Sequence, residues 1–383
     1  MIIGIDASNL RRGGGRTHLI EFLSVADPEK HHFKKIVVWG SEETLNLLDD
    51  KEWLLKRFPF SSNSILAYRI YWQSFLLSKK LKEEACDILF VPGGTYLGTF
   101  TPFVTMSRNM LPFENRELMR YGFSWLTLKL IILRFVQKKT FKNANGIIFL
   151  TNYAKNVIQQ VVGTVNSKIT VIPHGINSRF KNHPKEEKSI FSYSNKSPFR
   201  VLYVSIIDEY KHQWKVVEAI SDLRFKTGWP IILFLVGPSY KPALKKLEKS
   251  IEKFDKERKW VFYHGSLPYK QLDEYYKAAD LGVFASSCEN MPNILLEKMA
   301  AGLPVACSNR GPMKEILGNN GFYFDPENAS DITRILFDLI QNESFRSSSS
   351  NLNVSIVEAF TWEICAKKTL DFIKNISENK IIN

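Results

Sequence analysis

At 383 residues, with 44% hydrophobic and 24% charged side chains, the chain has the balance of a globular protein and is long enough for two domains rather than one core. This excludes a collagen-like or largely disordered chain, and the four scattered cysteines (Cys86, Cys288, Cys307 and Cys365) show no zinc or redox-dithiol spacing. The net charge of +13 is concentrated in the first half, where residues 1–180 hold 24 Lys/Arg against 14 Asp/Glu and residues 181–383 hold 28 against 25.

Such an excess suits nucleic acid, an anionic membrane or a phosphorylated substrate, with general solubility as the plain alternative. No nucleic-acid-binding module or aromatic-basic face accompanies it, so nucleic acid is not an expected partner. Met1 runs directly into apolar residues with no basic n-region. A secretory signal is therefore not expected, and a reducing cytoplasm is the expected setting.

In chain order, Ile2–Asp6 predicts a strand, Gly13-Gly14-Gly15 a turn and His18–Leu23 the start of a helix. Lys35–Gly40 predicts a second strand, followed by short apolar runs at Asp87–Pro92, Phe103–Met106 and Gly146–Leu150. Uninterrupted apolar runs without alternation predict strands covered on both faces, hence a parallel sheet flanked by helices. Phe123–Val136 is mostly apolar but interrupted by Lys129 and Arg134 and followed by Lys138, Lys139 and Lys142. It is too short and charged to span a bilayer. It predicts either a core helix with a basic outer stripe or a helix lying on a membrane surface.

A polar stretch, residues 181–198, predicts a linker. Strands are predicted again at Arg200–Ile206, Pro230–Gly237, Trp260–Tyr263, Leu281–Ala285 and Pro304–Cys307. The expected division is 1–180, a linker at 181–198, a second domain at 199–360 and a terminal helix within 361–383 that packs toward the first domain. Thr361–Ile373 is helical by pattern, with Ser377–Asn383 ragged.

The chemistry is concentrated after the Leu281–Ala285 strand. Ser286–Met291 predicts a polar loop, Pro292 suits the first helical position, Asn293–Ala301 continues as a helix, and Gly302 and Pro304 end it. A strand, loop and helix N-terminus of this kind make an anion site. Glu289 precedes the helix and Glu297 lies within it, roughly 8 Å further along the axis than Pro292. They are too far apart for an acid/base dyad and suit two contacts along an extended ligand. The plain alternative is a helix cap and a surface residue.

This segment resembles the signature of glycosyltransferase family 4, whose mark is Glu-x7-Glu before a small-residue ending, here Ala300–Val305. Ile172–Ile176 is similar to the family's strand-ending Pro-Asn-Gly element, with His174 in the Asn place. His264–Leu267 with Leu272, Tyr275, Tyr276 and Ala279-Asp280 resembles its next run, and Asn309–Glu315 and Gly321 with Phe324–Pro326 resemble the two after that. More loosely, Gly13-Gly14 followed by His18 looks like its phosphate-facing loop. Arg108-Asn109 stands where many relatives have His-Asp, and Asn109–Glu114 resembles the bacterial surface-polysaccharide branch.

The resemblance implies a GT-B fold: α/β, with two Rossmann-like doubly wound parallel-sheet domains facing across a cleft. It implies a retaining transferase using a nucleoside-diphosphate sugar, with no metal or other cofactor, and no Asp-x-Asp occurs. Glu289, Lys211 and Arg108 are the implied catalytic residues. Gly13, Gly14, Arg16, Ser205, Lys211, Asn290, Met291, Pro292, Asn293 and Glu297 are implied to bind the donor. The implied acceptor is a lipid-linked or free saccharide, at the cytoplasmic face of a bacterial inner membrane whose anionic surface is a partner.

Two departures stand out. Ser205 and Ile206 occupy the family's Gly-Arg places, so one of two expected cations is missing; Arg12, Arg16 and Arg108 are candidate substitutes. The loop after Glu289 lacks the usual glycine. A nucleotide-sugar epimerase on the same scaffold is the alternative reading.

Overall fold

The computed structural model describes residues 1–11, 13–60, 65–319 and 321–378. These form two compact units: residues 1–118, 122–175 and Phe360 onward in the first, and 119–121 with 176–359 in the second.

The first unit holds a seven-stranded parallel sheet: β1 (Ile2–Asp6), β2 (Lys35–Ser41), β3 (Leu54–Phe60), β4 (Ile88–Val91), β5 (Phe103–Met106), β6 (Gly146–Phe149) and β7 (Lys168–Val171). Its order is β3-β2-β1-β4-β5-β6-β7. The second unit holds β8 (Phe199–Val204), β9 (Ile231–Val236), β10 (Val261–Tyr263), β11 (Leu281–Phe284), β12 (Val305–Ser308) and β13 (Phe322–Phe324), in the order β10-β9-β8-β11-β12-β13. Both orders are doubly wound, with one reversal between neighbouring central strands. The central strands β1, β4, β5, β6, β8, β11 and β12 are almost wholly buried and form the two cores.

Residues 181–198 are not a linker. They pack within the second unit, where Asn182 N–H donates to Ala300 O at 2.9 Å and Lys185 Nζ to Ala279 O at 2.8 Å. Glu187 accepts from the fully buried Arg346 Nε at 2.7 Å. Apart from the short excursion of residues 119–121, the chain passes between units at 175/176 and 359/360 instead. The terminal helix, Trp362–Glu378, belongs to the first unit and includes Ser377 and Glu378; residues 379–383 of the expected ragged end lie outside the described residues.

The apolar segment after Phe123 forms the helix Trp125–Asn143, started by Ser124 Oγ accepting from Thr127 N–H at 3.2 Å. The core-helix reading fails. Only Leu130, Gln137, Thr140 and Phe141 are buried, while Trp125, Leu128, Ile131, Ile132 and Phe135 face outward. No described helix is long and apolar enough to cross a membrane.

Candidate functional site

In the second sheet β8 and β11 are neighbours whose onward connections leave in opposite directions, so the loops after them flank a crevice at the strands' C-terminal edge. The loop after β8 begins with buried Ser205, whose hydroxyl donates to Ile206 O at 3.1 Å. Asp208 then caps a short 3-10 turn, Glu209–Lys211, by accepting from Glu209 N–H at 2.8 Å. Lys211 N–H donates to Asp208 O at 3.0 Å, and the Tyr203 hydroxyl donates to Lys211 O at 2.6 Å. Held at both ends, Lys211 is buried, and its Nζ donates to Glu289 Oε1 from the loop after β11.

The two loops are laced together beside that pair. Ser287 N–H donates to Tyr210 O at 2.8 Å, and the Ser287 hydroxyl lies 2.9 Å from His212 Nε2. The Tyr210 and Phe284 ring centres stand 4.8 and 5.0 Å from Lys211 Nζ. The result is an ammonium with one carboxylate partner in an aromatic, low-dielectric setting, where charge–charge attraction is strong. An anionic ligand arriving at this edge would compete with Glu289 for Lys211.

The helix next to the crevice is Asn293–Ala300. Pro292 is not its first residue, as expected, but its cap. Pro292 sits in extended conformation, and its carbonyl accepts from Leu295 N–H at 3.0 Å. Asn290 and Met291 are buried, and Asn293 Oδ1 is buried with no partner among the described residues. Gly302 lies just beyond the helix end.

Glu297 is neither a surface residue nor an open carboxylate. It is buried, and it accepts from the Tyr269 hydroxyl at 3.0 Å and the Tyr276 hydroxyl at 2.8 Å. Burial raises its carboxyl above the usual range, and the two tyrosine bonds oppose that rise. Tyr269 itself lies flat against Arg179, 3.7 Å from guanidinium carbon to ring centre. The sequence reading missed Tyr269, Arg179 and Lys298. Lys298 did carry a signal, as a lone charge next to Glu297 in the otherwise apolar run Leu295–Ala301.

In the first unit, Gly13 adopts φ +64° with open space where a Cβ would point, and the helix Gly14–Val25 begins directly after it. Arg108 reaches this turn: its Nη2 donates to Gly14 O at 2.5 Å, and desolvation draws its guanidinium down to about 10. Arg16 points elsewhere, pairing with Glu43 at 3.0 Å, and Arg12 lies outside the described residues. Among the described candidate cations, Arg108 is thus the one whose side chain donates to the glycine turn. Below it, His18 and His174 join Nδ1 to Nδ1 at 2.9 Å, both buried, with Trp362 edge-on to His18.

Two family models cover most of the chain. Residues 12–180 match Glycosyltransferase Family 4, and residues 184–352 match Glycosyl transferases group 1. Among curated relatives, the O-antigen chain mannosyltransferase B of Escherichia coli is 30% identical over 115 residues, 30% of each chain. The chain spans 30% to 59% of the length of the first three curated relatives it matches. Among solved structures, a Rickettsia africae glycosyltransferase superposes with a TM-score of 0.70 over 99% of each chain at 18% identity. Anabaena HepE, solved with UDP-glucose, gives 0.69 over 100% of each at 16% identity. With both halves matched and two doubly wound sheets of the GT-B type, the chain belongs to the family 4 and group 1 glycosyltransferases.

Proposed function

We propose that the chain transfers a sugar, with retention of anomeric configuration and without a metal, from a nucleoside-diphosphate sugar to a hydroxyl of a lipid-linked saccharide in bacterial surface-polysaccharide synthesis. The observation that carries this reading is the Lys211–Glu289 pair between the loops after β8 and β11. Lys211 and the amide groups opening the Asn293–Ala300 helix bind the diphosphate and stabilise the charge that grows as it leaves. Glu289, released from Lys211, accepts hydroxyls of the donor sugar. Glu297 takes ribose hydroxyls in exchange for those of Tyr269 and Tyr276. The residues of the first unit given donor or acceptor roles are Gly13, Gly14 and Arg108.

In the transfer the bond between anomeric carbon and diphosphate oxygen breaks, and the acceptor oxygen bonds to the same face of that carbon. The acceptor's proton passes to the departing phosphate oxygen, as the family resemblance implies. The likeness to an O-antigen mannosyltransferase supports a surface-polysaccharide acceptor. HepE's complex with UDP-glucose supports a nucleotide-sugar donor. The basic first half and the outward apolar face of the Trp125–Asn143 helix support peripheral attachment to the cytoplasmic face of the inner membrane.

The test incubates the full chain with nucleoside-diphosphate sugars and a polyprenyl-diphosphate saccharide, with and without EDTA, and reads the product by proton NMR. The expected product keeps the donor's anomeric configuration and forms equally in EDTA. Inversion, loss of activity in EDTA, or isomerisation of the sugar without an acceptor would each overturn the corresponding part.

A further inference from the structure

The helix Asn293–Ala300 carries a second cation that the reaction above leaves unused. Lys298 is 0% exposed, whereas lysine stems usually deliver the ammonium to water. Its side chain crosses β11 at Gly282, where a Cβ would stand 2.8 Å from Lys298 Cδ; any other residue would obstruct that path. The ammonium ends 3.4 Å from the carbonyl of Val204, the last residue of β8, and 3.5 Å from that of Ile294 in its own helix's first turn. The ring centres of Phe284, Tyr203 and Tyr276 surround it at 5.2, 5.9 and 5.9 Å. No described carboxylate lies within ion-pairing distance. The ionisable groups acting on it are Glu297 on its own helix, Lys211 and Glu289 from the two crevice loops, and Cys307 on β12.

We propose that Lys298 is a positioning residue that gains a proton when a diphosphate occupies the crevice, placing a buried positive charge beneath the bound ligand. The proposal rests on the reading of that crevice as the donor site. Its physical basis is the location of the ammonium at the C-terminal end of β8, under the loops that carry Lys211 and Glu289. Without a ligand, burial draws Lys298 down to about 7, the effect of Glu297 and Glu289 opposing and that of Lys211 reinforcing it. Anionic oxygens at the crevice favour the charged form. By linkage, the protonated state then binds a diphosphate more tightly. Affinity therefore falls as pH rises above about 7, by up to about tenfold per pH unit. The role also fits the sequence, since Ile206 stands where the resemblance leads one to expect a second cation.

The test is titration calorimetry of the full chain with UDP and with GDP at pH 8, in two buffers of different ionisation enthalpy. It compares the wild type with Lys298→Met and Lys298→Arg, neither of which titrates in this range. The nucleotide's own phosphate exchanges protons equally in all three, so the difference isolates Lys298. Greater proton uptake by the wild type than by either variant, with a flattened pH dependence of affinity in the variants, is the expected result. Nucleotide binding with equal proton exchange in all three overturns the role of Lys298 and leaves the donor site standing. If neither binds, the titration is repeated with ADP, and if none of the three nucleotides binds the wild type at any pH, the donor-site reading fails and this inference fails with it.

Discussion

Lys211 and Glu289 lie 78 positions apart in the chain yet form one ion pair, because a doubly wound sheet brings the loops after β8 and β11 to the same edge. Neither charge is well placed to stand alone in that setting, so removing one leaves the other unpaired and at a cost. Glu297 illustrates a different economy. Its two oxygens are already satisfied by Tyr269 and Tyr276, so a ribose bound there, as proposed, would have to replace hydroxyl with hydroxyl rather than fill an empty site. Glu297→Ala is expected to weaken nucleotide binding by up to about 1.5 kcal/mol, the low end for hydrogen bonds to charged groups, because the tyrosine bonds are given up in exchange. Calorimetry checks this. An unchanged affinity would mean that the carboxylate serves the two tyrosines alone.

Two elements of the first unit carry their own consequences. The helix Gly14–Val25 is tied to the turn after β7 through the His18–His174 bond, which needs one Nδ1–H donor and one Nδ1 lone pair, so at least the accepting ring must be neutral. Burial holds both well below the usual histidine value. The unfolded chain binds protons below about 6.5, where the folded pair does not, so folding stability falls as pH drops through that value and is unaffected above it. Denaturant midpoints between pH 5 and 8 should show this decline, and His174→Asn should make it shallower. Equal acid sensitivity in the variant would contradict the assignment. The helix Trp125–Asn143 exposes Trp125 at 77% and Phe135 at 66%, with Lys129, Lys139 and Lys142 also outward. Arg134 and Lys138 do not belong with them. Arg134 donates to Asn115 Oδ1 at 2.5 Å and Lys138 to Val161 O at 3.2 Å. Gln at 129, 139 and 142 should therefore reduce sedimentation with anionic vesicles at low salt without altering nucleotide binding. Equal, negligible binding of the wild type to anionic and neutral vesicles would leave the stripe as a solvated face.

At the scale of the molecule, the central strands were legible because burial on both faces leaves continuous apolar runs, as in Ile2–Asp6 and Leu281–Phe284. The strands that went unread are edges. β3 carries Lys56, Arg57 and Pro59, β7 begins with Lys168, and β13 has only three residues, all partly open or short where pairing stops. The site was legible in part: Lys211 and Glu289, both singled out in the sequence, come together in one ion pair. Tyr269 and Arg179 were not legible, and Lys298 showed only as a charge within an apolar run, because their surroundings come from packing across the second unit rather than from local spacing. The central claim is that this unit binds a nucleoside diphosphate through Lys211. It is tested most directly by thermal unfolding of the wild type and Lys211→Ala against UDP, GDP, ADP and their sugars. A ligand that binds only the folded chain adds about 2.7 kcal/mol at a hundredfold excess over its Kd. The account predicts that at least one nucleotide raises the wild-type midpoint and that Lys211→Ala loses most of that rise. No shift with any nucleotide, or an equal shift in both proteins, would contradict it.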